Sequence, residues 1–208
     1  MPNPSKDWSK FALLMIDVQN DFVKPETRKL FPYLEQNISK LMAFCRSEGI
    51  EVVNVRAVFK KDMSDWIPTW KLKGFIPCVE ETPGIDFLPC AMPTPGEKVV
   101  TKHSHDAFLY TDLQEYLDSR GKHFLLTAGV SSTVCVFLTT ASASQRGFMT
   151  AIVEDCTAGE PEAHFHQLLK NDLYYRHVPM DQIPEKYKEW SEELRRLDEI
   201  TRKMKLPV

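Results

Sequence analysis

The sequence has no surplus of positive charge, no long apolar run, no paired cysteines and no glycine-rich phosphate loop, and each lack removes a class of function. Lysines and arginines number 26 against 29 acidic residues, a formal charge of −3, so no basic excess is available to neutralise a nucleic-acid backbone. No apolar stretch approaches the roughly 18 residues that a membrane helix needs. The first ten residues have neither the apolar centre nor the small-residue cleavage pattern of a secretory signal. A cytoplasmic protein with neither a membrane nor a nucleic-acid partner is expected. The five cysteines, Cys45, Cys78, Cys90, Cys135 and Cys156, are odd in number and scattered. Without a C-x-x-C pair they suggest neither a zinc knuckle nor a redox centre, and free thiols in a reducing compartment account for them. Neither G-x-x-x-x-G-K-S/T nor G-x-G-x-x-G occurs. A cysteine phosphatase would place an arginine after its nucleophile, whereas Cys135 is followed by Val-Phe-Leu-Thr-Thr-Ala.

What is present is 208 residues with 43% apolar content, enough for one core and short for two; one domain spanning residues 1–208 is expected. Apolar runs alternate with stretches of helical period, the pattern of parallel strands joined by crossover helices. Strands are expected at Phe11–Ile16, Glu51–Phe59, Lys98–Thr101, Lys122–Ala128, Phe148–Val153 and within Leu173–Val178. Helices are expected from Pro32 to Gly49, Asp112 to Arg120, Cys135 to Arg146, Glu160 to Asn171 and Pro184 to Lys205. The last carries Trp190, Leu194, Leu197 and Ile200 on one stripe, suited to packing on the body or on a second copy. The fold class is α/β, a three-layer sandwich of a mostly parallel sheet with helices on both faces. Residues 60–96 break this rhythm with Pro, Trp and charged residues. Trp66, Trp70 and Phe75 argue against disorder there, and the excursion reads equally as a loop folded on its own cluster or as a substrate-binding wall.

In parallel sheets, functional groups gather beyond the carboxyl ends of the strands. Asp17, Lys102 and Cys135 hold that address. A cysteine at a helix start meets unpaired N–H groups and a partial positive charge, which lower a thiol pKa and can hold an oxyanion. A nearby ammonium would add to this, and a carboxylate could take the thiol proton and return it to a leaving amine. Taken singly, each residue has a plainer reading: Asp17 satisfying local backbone donors, Lys102 a solvated charge, Cys135 a core filler.

Together, three segments turn this balance. Asp17-Val-Gln-Asn-Asp-Phe22, Lys102-His-Ser-His-Asp-Ala-Phe108 and Gly129-Val-Ser-Ser-Thr-Val-Cys-Val136 resemble, in order and interval, the signature segments of the isochorismatase-like cysteine hydrolases. Asp155-Cys-Thr-Ala-Gly159 with His164 resembles a fourth. The resemblance spans about residues 10–180 and implies a Rossmann-like sandwich and a triad of Asp17, Lys102 and Cys135. It also implies a cis peptide between Val130 and Ser131, with the Ser131 and Cys135 backbone N–H groups as an oxyanion hole. Ser132 and Thr133 depart from the residues usual before the cysteine but remain competent helix caps. No histidine follows the second strand until His103, which disfavours the metal-binding nicotinamidase pattern. Accordingly, neither metal nor cofactor is expected. The presence of Cys135 points to carbon–nitrogen rather than enol-ether cleavage, and so to a small amide, ureido or carbamoyl substrate. An isochorismate-type ether hydrolase and an idle interaction protein that keeps the fold stand as alternatives. Phe22, Trp66 and Trp70 are candidate pocket walls, His103 and His105 are assigned to solvent or supporting positions, and His164 and His166 lack i, i+4 ligand spacing. The resemblance and the amphipathic tail suggest a homo-oligomer.

Overall fold

The computed structural model describes residues 6–159 and 176–204. Six strands, β1 Phe11–Ile16, β2 Glu51–Ala57, β3 Lys98–Lys102, β4 Phe124–Val130, β5 Met149–Ala158 and β6 Arg176–Val178, form one sheet in the order β3-β2-β1-β4-β5-β6. Every paired neighbour is parallel. The helices are α1 Pro25–Leu30, α2 Leu34–Glu48, α3 Pro68–Lys73, α4 Leu113–Ser119, α5 Phe137–Gln145 and α6 Ile183–Met204. The expected helix over 160–171, with His164 and His166, lies outside the described residues.

β1 is wholly buried, and its alternating side chains divide the core. Phe11, Leu13 and Met15 pack with Ile38, Leu41 and Met42 of α2 and with Trp190 and Leu194 of α6. Ala12, Leu14 and Ile16 pack with Leu113 and Leu117 of α4 and Ala143 of α5. This period-two division is what makes three layers from one strand. α2 stops where expected, at Gly49 in the left-handed region with φ 74°. On the terminal helix only half of the expected stripe is covered. Trp190 and Leu194 are buried, whereas Leu197 and Ile200 are exposed.

The order places a switch point between β1 and β4. From β1 the chain winds outward through β2 to β3, then returns to the other side of β1, so the loops after β1 and β4 diverge and leave a crevice. Gly129 makes the close strand contact beneath it possible. Its φ is 121°, and a Cβ there would lie 2.0 Å from the Ile16 carbonyl oxygen.

The excursion after β2 is ordered by both of the devices its sequence offered. Trp66 packs with Ala57, Phe59, Ile76 and Cys78 in a separate cluster, its Nε1 donating to the Lys60 carbonyl at 2.7 Å. The Asp17–Phe22 segment then ties the excursion to the sheet. Gln19 Nε2 donates to the carbonyls of Ala57 and Ile85, both at 2.9 Å, and its Oε1 accepts from Ala57 N–H at 2.8 Å. Asn20 Nδ2 donates to the Pro83 carbonyl, and Asp21 Oδ2 accepts from Cys78 N–H.

Candidate active site

Asp17, Lys102 and Cys135 meet at the switch point. Asp17 leaves β1 with φ 53°, a left-handed turn that Asp tolerates better than most residues and that directs its carboxylate into the crevice. The side chain is fully buried, and among the described residues its partners are side chains, the Cys135 thiol and Lys102, with 2.8 Å from Oδ2 to Nζ. The reading in which Asp17 merely satisfies backbone donors is thus excluded. Lys102 closes β3, in register with Ala57 of β2, which sets only a methyl group beside the lysine stem. Its Nζ is 2.8 Å from the Ser104 carbonyl and 3.6 Å from Cys135 Sγ. At 1% exposure it is not a solvated charge.

Cys135 stands within a single π-type turn, Ser132–Val136, that leads into α5. Val136 N–H bonds to the Ser131 carbonyl across five residues, which widens the turn below the cysteine. The Val130–Ser131 peptide is cis, as the resemblance implied. The thiol electrostatics correct the expectation of a lowered pKa. Burial, and then the Asp17 carboxylate, push the Cys135 thiol up to about 12, against the downward pull of Lys102. A thiolate beside Asp17 and Lys102 would leave one uncompensated buried negative charge. Cys135 therefore rests as a neutral thiol. Lys102 loses by burial but gains more from Asp17 and Cys135, so its pKa stands above the ordinary lysine value.

Lys102 and Cys135 face a cavity of about 260 Å³, with Asp17 buried beside them. Phe22 and Trp70 line it, with Phe59, Phe75, Ile76 and Val134 completing an apolar wall. Trp66 does not reach it; its indole is spent on folding the excursion behind that wall. Ser131 lines the floor beside Cys135, and Asp21 and Lys24 also contribute. The two histidines around Lys102 part company. His103 Nδ1 lies 2.6 Å from the Val58 carbonyl and 3.0 Å from Asp65 Oδ2, pinning the excursion from outside. His105 lines the cavity, with Nδ1 3.7 Å from Cys135 Sγ. A solvent position for it is thereby corrected, because alternation along an irregular loop fixes no inward side. Among the described residues, no group of three His, Cys, Asp or Glu side chains is arranged to hold a metal, and no helix is long and apolar enough to cross a membrane.

A family model, the isochorismatase domain, matches residues 11–180, which take in β1, β3, β4 and all three groups of the crevice. The chain belongs to the isochorismatase family. Isochorismatase relatives with curated descriptions include an uncharacterized isochorismatase family protein, YddQ, of Bacillus subtilis, 30% identical over 150 residues, which are 71% of this chain and 77% of that protein. Maleamate amidohydrolase of Pseudomonas putida is 28% identical over 175 residues, 81% of this chain and 82% of that one. Among solved structures, an isochorismatase family protein from Desulfovibrio vulgaris superposes with a TM-score of 0.77 at 27% identity, covering 85% of this chain and 97% of that chain.

Proposed function

We propose that this isochorismatase-family protein hydrolyses a carbon–nitrogen bond of a small amide, ureido or carbamoyl compound through a thioester on Cys135. The observation that carries the reading is the buried Asp17–Lys102–Cys135 constellation opening onto the cavity. As Sγ attacks the carbonyl carbon, its proton passes to Asp17, so that the thiolate forms only as the new C–S bond does. Lys102 keeps its charge and offsets the negative charge passing from Asp17 to sulfur and on to the carbonyl oxygen. The Ser131 and Cys135 backbone N–H groups are proposed to receive that oxyanion. Asp17 then returns the proton to the nitrogen, the C–N bond breaks, and ammonia or an amine departs. Water hydrolyses the remaining thioester, releasing the acid or carbamate and restoring the thiol.

The aromatic wall fits a substrate with an apolar body at the reacting end, and the similarity to a maleamate amidohydrolase supports an amide. The test is ammonia release across a panel of carboxamides, ureido and carbamoyl compounds. Release from at least one class by the wild type, abolished in Cys135→Ala, is expected. A folded protein silent across the panel, or a Cys135→Ala variant of undiminished rate, would overturn the proposal.

A further inference from the structure

The cavity in front of Cys135 holds one acceptor that its apolar wall leaves unanswered. Four aromatic side chains, Phe22, Phe59, Trp70 and Phe75, line it together with Asp21. Asp21 is set in place from two sides. Its Oδ2 accepts from Cys78 N–H at 2.8 Å, and its own N–H donates to the Gly84 carbonyl at 3.2 Å. Gly84 leaves no space behind the carboxylate, since a Cβ at that position would lie 2.0 Å from Oδ2. The group is therefore fixed before anything binds. Oδ1 accepts from no donor among the described residues. Lys24, which lines the same cavity, has its Nζ over the Phe75 ring, 5.9 Å from the centroid, rather than paired with Asp21. Asp21 is half-buried, so water answers Oδ1 until a substrate fills the cavity. A second cavity of about 340 Å³ shares Asp21, Phe22, Lys24 and Ser131 with the first, which places Asp21 where a substrate extending past Ser131 runs.

We propose that Asp21 is a specificity-determining residue, whose free carboxylate oxygen receives an N–H or O–H donor that the substrate carries away from its reacting carbonyl. The inference rests on the Cys135 reading above and narrows its substrate class to amide or ureido compounds with a hydroxyl, an amino group or a further N–H at the end of a short apolar body. The physical reason is the cost of a polar atom left without a partner. Once a ligand displaces the water from Oδ1, a methyl group there leaves the oxygen desolvated, and a carboxylate there sets acceptor against acceptor. A donor restores the bond that water made. Because Cys78 N–H and Gly84 already fix the carboxylate, little freedom is lost in making that bond. Such a position discriminates more sharply than the aromatic wall, which responds to size and apolar area alone.

Carboxamides of matched length test this. Pentanamide, 4-hydroxybutanamide, 4-aminobutanamide and succinamate end in a methyl, a hydroxyl, an ammonium or a carboxylate group, and the set is repeated one methylene longer. Binding to Cys135→Ala, followed by ligand-observed NMR, reads recognition without turnover, and ammonia release by the wild type reads the reaction. A hydroxyl or ammonium compound is expected to bind roughly 10- to 100-fold more tightly than its methyl counterpart, with the carboxylate weakest; the tighter of the two shows whether the donor is neutral or cationic. In Cys135→Ala carrying Asp21→Asn, the amide oxygen can still accept from Cys78 N–H while an NH2 group replaces the free acceptor. The order is then expected to invert, the carboxylate compound gaining and the donor compounds losing, which a merely structural role would not produce. Absent or equal binding of all compounds at both lengths, tightest binding of the carboxylate with Asp21 in place, or an equal loss of all compounds in Asp21→Asn would overturn the role of Asp21. Ordered binding to Cys135→Ala without ammonia release by the wild type would overturn the amide reading and leave the preference set by Asp21 in place.

Discussion

At the scale of single residues, the site is governed by a charge count. One buried ammonium faces a carboxylate and a thiol, so it can compensate one of them fully and the other only when the first is neutral. This makes an unusual prediction for Asp17→Asn. Removing the carboxylate lowers the Cys135 pKa, because Lys102 is then free to pair with the thiolate. Alkylation of Cys135 by iodoacetamide near neutral pH should become faster, roughly tenfold for each unit of pKa recovered. Turnover should nevertheless fall by about 10² to 10⁴ because the proton acceptor is gone. Peptide mapping of the alkylated thiols checks the first and ammonia release the second; slower alkylation in Asp17→Asn would contradict the charge count. At this scale the sequence was only partly legible. Asp17, Lys102 and Cys135 were singled out by the resemblance of their three segments, their place at strand ends alone leaving a plainer reading open for each. The resting charge state was not legible, since helix-start reasoning treats the cysteine without its carboxylate neighbour. Trp66 was misplaced, and the inward side of His105 was left open, because side-chain direction in an irregular segment follows from tertiary contacts, not from any period.

At the scale of elements, strands with continuous apolar runs were legible and helices without a buried face were not. β1 and β4 are apolar along nearly their whole length, β2 is rich in valine, and all three lie within a few residues of their expected limits. β5 continues to Ala158, past the Val153 expected as its end, because Glu154 and Asp155 interrupt the apolar run while the backbone stays extended beside β4. α1 buries no residue and so carries no stripe that a sequence could show. The far end of the excursion is held by one carboxylate. Glu97 bonds to Arg46 of α2, to Asn54 of β2 and to Thr94 N–H. Burial alone would raise its pKa, but these partners hold it down to about 2 from an ordinary 4.5. A depressed carboxyl contributes stability above the unfolded pKa and loses it as pH falls through the folded one. The wild type should therefore lose urea stability between pH 4.5 and about 2 more steeply than Glu97→Gln. Parallel losses would show that the Glu97 corner contributes nothing.

At the scale of the molecule, a sheet of fixed order supplies the reacting groups and an irregular excursion supplies the wall they face. Division of labour within the excursion puts Trp66 in its own small core and Trp70 on the cavity. Trp70→Ala should accordingly weaken substrate binding by about 1–2 kcal/mol, roughly a tenfold rise in KM with kcat little changed. Steady-state kinetics on the best amide of the panel checks this, and a collapse of kcat at constant KM would place Trp70 elsewhere in the reaction. The layered α/β architecture was legible throughout, since it rests on periodicities of burial that the sequence carries directly. The cavity was not, because it exists only where the excursion, the Asp17–Phe22 segment and the Cys135 turn come together. The most direct test of the account is mass spectrometry of the acid-quenched steady state with that same amide. The account predicts an acyl adduct on the Cys135 peptide, equal in mass to the substrate less its amine, that vanishes in Cys135→Ala together with turnover. Product formation with no adduct on Cys135 under any quench, and with turnover persisting in Cys135→Ala, would contradict it.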